Sequence, residues 1–213
     1  MDVVPYGAVI VAAYLIGSIP TGAIVARLYR NVDITQVGSQ RIGATNAART
    51  LGPGAGAIVL VGDFAKGALA VWLARQTLGT PAALSLAGFF SVVGHIRSIF
   101  LLGRGGRGVV TGLGGLAVMW PGIFLLSCLT GSSVVAITRY VSLGSICGAL
   151  AAALVGLAAY ALGSLPVEFL PYLVVTPALI IAVHADNIRR LRAGTERRWG
   201  KRESPRQSAS EAT

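Results

Sequence analysis

Carboxylates and thiols are scarce in this chain. Of its 213 residues only 8 are Asp or Glu and 2 are Cys, against 18 Lys or Arg, for a formal net charge of +10. So few acids leave little material for chemistry between paired carboxylates. Cys128 and Cys147 both fall in apolar stretches, which argues against a disulfide or metal framework and leaves them as packing residues. No HExxH or other zinc-ligand spacing occurs, so no metal or cofactor is expected. Charged residues make up 12% of a chain that is 54% hydrophobic, too little polar surface for a water-soluble globule.

The chain does hold long apolar runs divided by short basic clusters. That pattern is the positive-inside signature of a polytopic membrane protein, not a nucleic-acid surface. Val3 to Leu28 predicts a first, uncleaved span with the N-terminus outside, kinked at the GSIPTG run, where Ser18 and Thr21 are expected to re-satisfy the carbonyls that Pro20 frees. Pro53 to Ala74 and Ala82 to Leu102 follow as spans. Val109 to Thr138 is short for two crossings and predicts two short helices broken near Pro121 or Gly131; Val141 to Leu162 and Phe169 to Val183 complete a count of seven. His184 to Arg202 predicts an interfacial amphipathic helix attracted to anionic lipid, with the C-terminus inside. The fold class is therefore all-α: a polytopic bundle of about seven transmembrane helices, some short or broken. Residues 1–202 form one membrane-embedded domain, and 203–213 a disordered tail.

Three polar segments fall on one predicted face. GRGGRG, Gly103 to Gly108, joins backbone that can approach a ligand closely to the charges of Arg104 and Arg107, just ahead of a helix start at Val109. GSQRIGATN, Gly38 to Asn46, leads into a short helix from Ala44 to Leu51 on which Thr45, Asn46 and Arg49 share roughly one side. The third is HADNIRRL, His184 to Leu191. All are rich in hydrogen-bond donors and poor in carboxylates, which suits substrates carrying two phosphates. Asp63 and Lys66, inside the second span, are expected to neutralise each other at i, i+3 and to face the bundle interior; His95 reads as a packing residue. Gly103, Gly105 and Gly108 match GxGxxG, but no βαβ unit surrounds them, and Val109 and Val110 stand where a Walker loop needs Lys and Ser or Thr. No nucleotide site is implied.

Taken together these segments resemble the bacterial acyl-phosphate:glycerol-3-phosphate acyltransferases (PlsY family), over nearly the whole chain to about Arg198. GSQRIGATNAARTLG looks like the first family motif, GSGNxGATNxxRxLG; DFAKG resembles DFxKG; GRGGRGVVT is similar to FKGGKGVAT; RYVSLGSI resembles a segment on the same face; HADNIRRLRAGTE is similar to HxxNIxRLxxGxE. The resemblance implies transfer of a fatty acyl group from acyl phosphate to the sn-1 hydroxyl of glycerol 3-phosphate, giving lysophosphatidic acid and phosphate. Membrane lipids are the remaining partners, with no nucleic acid and no obligate protein partner.

By position, the resemblance makes Ser39, Thr45, Asn46, Arg49, Arg104, Gly105, Gly106, Arg107 and Gly108 phosphate-binding. His184, Asn187 and Ser142 become catalytic, and Asp63, Lys66 and Glu196 structural. His184 as a general base, His184 as an orienting group and proton uptake by substrate phosphate all stand open. The chain departs from the family at Gln40 and Arg41, which replace Gly and Asn, and at Arg104 and Arg107, which replace lysines. Two rival readings are a membrane transporter of organic anions, and an acyltransferase using acyl-CoA. Neither His is followed five positions later by Asp, so the His/Asp pair of the common membrane acyltransferases is missing.

Overall fold

The computed structural model describes residues 3–200, and all regular structure among them is helical. The tail expected at 203–213 lies outside the described residues, as do Lys201 and Arg202 at the end of the basic segment. Five helices are long and apolar enough to cross a membrane, counting Val4–Arg30 as one, and a sixth is reached if the bent pair Val167–Val183 and Ala185–Arg192 forms one span. The shorter apolar helix Val109–Met119 is the element that the expected count of seven adds to these.

The first span breaks outright where a kink was expected. α1 (Val4–Ser18) stops ahead of Pro20, and α2 (Thr21–Arg30) starts after it, because the proline ring denies the ladder a donor. The freed carbonyls are not met by the side chains of Ser18 and Thr21, although Thr21 N–H donates to Ile19 O at 3.0 Å. Ser98 Oγ donates to Ser18 O at 2.6 Å and Lys66 Nζ to Ile19 O at 3.0 Å, while the Thr21 hydroxyl donates to Asp63. The break is thereby tied to the buried pair on the next span.

α3 (Ala44–Thr50) is the expected short helix, and α4 (Pro53–Thr77) and α5 (Pro81–Ile96) are the next two spans. α6 (Val109–Met119) and α7 (Pro121–Thr138) meet at Trp120, so the predicted break falls at Pro121, where Arg75 Nη2 donates to Val118 O at 2.7 Å. α7 is long enough to cross, so one helix of this pair is short rather than both. α8 (Val141–Ala161) leads through a π-helical turn, Pro171–Val175, to α9 (Thr176–Val183). After a 58° bend at His184 comes α10 (Ala185–Arg192).

The expected helix to Arg202 ends early. Gly194 takes φ +71°, and the chain beyond it folds back, with Trp199 N–H donating to Arg139 O at 2.7 Å and Arg198 Nε to the Tyr140 hydroxyl at 3.1 Å.

Helix pairs α1 with α5, α4 with α6, and α7 with α8 pack most extensively. Small residues make the close approaches possible: a Cβ at Gly67 would collide with Thr111 O, and one at Gly114 with Phe64 O.

Candidate active site

One end of the bundle holds a cleft of about 590 Å³ on which all three polar segments converge. Ser39, Thr45, Asn46 and Arg49 come from the α2–α3 loop and α3. Gly106, Arg107 and Gly108 come from the loop before α6, Ser142 from α8, and His184, Asn187 and Glu196 from α10 and its surroundings. Arg41, Arg190, Arg197, Asp63, His95 and Ser145 also line it, although none was singled out as a ligand-binding residue from sequence. Arg41 and Arg190 lie within two of the quoted polar segments, which is the signal that was available for them.

The α2–α3 loop is organised by Asn46. Its side-chain amide donates to Arg41 O at 2.9 Å, Val37 O at 3.1 Å and Ile34 O at 3.4 Å, and its Oδ1 accepts from Ser39 N–H at 3.0 Å. A buried side chain spent in this way holds Ser39 and Arg41 in place. The expected phosphate contact by Asn46 therefore becomes a positioning role. A Cβ at Gly38, whose φ is +60°, would strike Asn46 Oδ1, so glycine is needed there for both backbone and space. Gln40 takes φ +56°, a conformation its side chain does not favour, at the position where the family pattern has glycine.

The glycine loop divides into packing and ligand-facing residues. Gly106 N–H donates to His95 O at 3.1 Å, and Cβ atoms at Gly105 or Gly106 would collide with His95. Gly105 does not reach the cleft wall, and Arg104 is exposed outside it. The Asp33 carboxylate, held low first by hydrogen bonds from Thr35 and then by Arg27, feels Arg104 as well, so this arginine lies toward the α2–α3 loop. Gly108, at φ +76°, starts α6 with no side-chain cap. Arg107 is the loop's cation in the cleft: its Nε is buried with no acceptor among the described residues, and burial, followed by repulsion from Arg41, lowers its pKa to about 10 against the pull of Glu196.

Glu196 gathers the α8 and α10 side chains. Ser142 Oγ and Asn187 Nδ2 each donate to its Oε1 at 2.7 Å, and Arg190 Nε donates to Oε2 at 2.8 Å. These bonds hold its carboxyl below the ordinary range although burial acts the other way. Ser142 is thus turned to a carboxylate, a donor to Glu196 that ties α8 to the strap beyond Gly194. The strap also receives Arg49, whose Nη2 donates to Arg197 O at 3.4 Å.

His184 stands just past Val183, where α9 ends, and is 1% exposed. Its Nδ1 lies 2.7 Å from Ile180 O. A carbonyl only accepts, so Nδ1 carries the proton and Nε2 is left as an acceptor. Burial lowers its pKa to about 4, opposed by the Ile180 bond and assisted by nearby Arg107. The imidazole is neutral at physiological pH.

At the floor, Asp63 and Lys66 are paired at 2.9 Å as expected, 2% and 4% exposed, with the Thr21 hydroxyl donating to the same carboxylate oxygen. His95 is more than a packing residue, for its Nδ1 approaches that oxygen to 3.5 Å. A second, apolar cavity of about 380 Å³ runs between α6, α7, α8 and α9 and shares Leu60, Val109, Val141 and Ser145 with the polar cleft. Cys128 is on its wall, and both cysteines are free thiols. Among the described residues no cluster of metal-ligating side chains occurs.

The family profile described as glycerol-3-phosphate acyltransferase matches residues 7–194. A glycerol-3-phosphate acyltransferase of Thermus thermophilus is 43% identical over 194 residues, covering 91% of this chain and 95% of its own. Glycerol-3-phosphate acyltransferase 2 of Moorella thermoacetica is 44% identical over 193 residues, covering 91% and 97%. Among solved structures, the glycerol 3-phosphate form of PlsY, an integral membrane glycerol 3-phosphate acyltransferase, superposes with TM-score 0.85 at 38% identity, covering 92% of this chain and 96% of that one. Its lysophosphatidic acid form gives 0.83 at 37% identity.

Proposed function

Because the chain belongs to the glycerol-3-phosphate acyltransferase family, and is a membrane acyltransferase of the PlsY kind acting on glycerol 3-phosphate, we propose that its donor is acyl phosphate and its acceptor the sn-1 hydroxyl. The observation that carries this reading is a pair of adjoining cavities. The polar one is walled by Arg41, Arg49 and Arg107, the last with a buried guanidinium Nε that has no acceptor among the described residues, and the apolar one adjoins it, with Leu60, Val109, Val141 and Ser145 on the wall of both. Phosphate on one side and a hydrocarbon chain on the other describe both the donor and the product. The cavity that adjoins the cleft is apolar rather than a polar route to the other face, which favours an enzyme over a transporter of organic anions.

Acyl phosphate is already activated, so alignment and charge neutralisation supply the acceleration. Arg49, Arg107, Ser39 and the uncapped start of α6 hold the two phosphates. Asn46 and Glu196 fix the loops that present them. His184 Nε2 accepts the hydrogen bond of the attacking hydroxyl and aims its oxygen at the acyl carbonyl. The ester bond forms, the carbonyl-to-phosphate C–O bond breaks, and the released phosphate takes the proton, since an imidazole held near pKa 4 is a poor place to store it. The sign of the pH effect follows. Above about pH 5 His184 stays neutral, so kcat/KM for glycerol 3-phosphate falls in acid only as the substrate loses its dianion, whose pKa is about 6. Plotted per dianion, the profile is expected to be flat from pH 8 to about pH 5. A residual limb near pH 6.5 would refute the orienting role.

The purified protein, given long-chain acyl phosphate or acyl-CoA in turn, is expected to use the first and to show little or no turnover with the second; comparable rates would sink the donor assignment. The proposed orientation has the cleft on the cytoplasmic side of the inner membrane and the N-terminus outside, a reading supported by the basic clusters between the apolar runs. A lone cysteine at Ser39, in a background lacking Cys128 and Cys147, is expected to be labelled only from within, and labelling in intact cells would reverse that orientation.

A further inference from the structure

The cleft wall carries three carboxylates, Asp63, Asp186 and Glu196. Each is already bonded to a cation: Asp63 to Lys66 at 2.9 Å, Asp186 to Arg189 at 2.6 Å and Glu196 to Arg190 at 2.8 Å. None therefore pairs with Arg41 or Arg107, and among the described residues neither of these arginines has a carboxylate within ion-pair distance. Two guanidinium groups on one partly buried wall, one with a buried Nε lacking an acceptor, repel each other unless an anion lies between them. Arg41 is the cation that weighs most on Arg107, and it acts on His184 too.

The position of Arg41 is also fixed from its own backbone. Its carbonyl accepts from the buried Asn46 amide at 2.9 Å, and its neighbour Ile42 is buried with 1% exposure. A long side chain on so constrained a base, lining the cleft, is placed to meet a ligand rather than to sweep through solvent.

We infer that Arg41 is a third phosphate-binding cation of this site beside Arg49 and Arg107, closing with Arg107 on one phosphoryl dianion. The inference rests on the acyltransferase reading only for the source of that dianion, which is either glycerol 3-phosphate or the phosphate end of the donor. The chemistry is the same for both: oxygens of a phosphomonoester taking charge-assisted hydrogen bonds from two forks.

Arg41→Gln and Arg41→Lys, with the wild-type chain, test this in two arms. In the first, inorganic phosphate is titrated against thermal unfolding of the detergent-solubilised protein. The wild type is expected to gain a phosphate-dependent rise in Tm, Arg41→Gln to need roughly 10-fold more phosphate for the same rise, and Arg41→Lys to fall between. Without phosphate, Arg41→Gln is expected to be as stable as wild type, since it loses no ion pair. In the second arm KM is measured for each substrate with the other saturating. A rise of roughly 10-fold or more for glycerol 3-phosphate assigns the clamp to the acceptor, and one for acyl phosphate assigns it to the donor. An identical phosphate titration in wild type and Arg41→Gln overturns the inference. So does a wild type that phosphate does not stabilise. Failure of the acyl-phosphate assay with an intact difference in the phosphate titration counts against the donor and leaves the clamp standing.

Discussion

Asp63→Ala is expected to cost roughly 3–5 kcal/mol of stability, the largest loss of any single substitution considered for this protein. Asp63 lies on α4 within the bundle, and three groups converge on its Oδ1: the Lys66 ammonium, the Thr21 hydroxyl from the start of α2, and the His95 ring from the end of α5. Removing the carboxylate leaves the Lys66 charge buried without a counterion, and a lone ammonium among apolar helices is far costlier than the pair. Lys66 also donates to Ile19 O at the Pro20 break, so its displacement would unpin the break between α1 and α2 from α4. Activity should fall with stability, because Asp63 and His95 form the floor of the cleft. Asp63→Leu combined with Lys66→Met restores neutrality, and it is expected to recover more than half of the loss when thermal unfolding is compared in one detergent. If Asp63→Ala unfolds within a degree or two of wild type, the pair is not what joins these three elements.

How much of this was legible beforehand divides along physical lines. Apolar run length announces spans, and proline announces breaks, because both act through local backbone chemistry; α4, α8 and the break at Pro121 follow from that alone. The three polar segments also met at one end, as the side on which each loop emerges requires. Side-chain destinations were not legible. Arg104 and Arg107 are equivalent within GRGGRG, yet only the second enters the cleft, because Gly105 and Gly106 must lie flat against His95 and the loop turns there. Asn46 reads as a phosphate donor from its type, and only the curled α2–α3 loop shows its amide spent on backbone carbonyls. The strap beyond Gly194 reads as a continued amphipathic helix, since the arginines and Trp199 repeat suitably. Its return over α8 depends on Glu196 finding Ser142, 54 positions away in sequence. Long-range pairing of that sort leaves no periodicity in the chain.

Arg107→Ala is expected to lower catalytic efficiency for glycerol 3-phosphate roughly 10-fold to 100-fold, the loss of about 1.5–3 kcal/mol in charge-assisted hydrogen bonds. The position of the guanidinium makes this specific. Its Nε is buried without an acceptor among the described residues, it stands one residue before the N-cap of α6, and the carboxylate that acts on it, Glu196, is already engaged by Arg190. Among the described residues this guanidinium makes no ion pair, so its removal should leave the unfolding temperature unchanged or slightly raised as repulsion from Arg41 and Arg49 is relieved. Arg107→Lys keeps a cation in a shorter reach without the fork. It should retain a substantial part of the activity, with the deficit in KM for the phosphate substrate rather than in kcat. A merely structural arginine would show the reverse pattern, with stability lost in Arg107→Ala and kinetics of the surviving fraction unaltered. Normal folding of Arg107→Ala together with unchanged kinetics for glycerol 3-phosphate would reduce GRGGRG to a basic turn, and the phosphate would then have to be held by Arg49 and its neighbours on α3 alone.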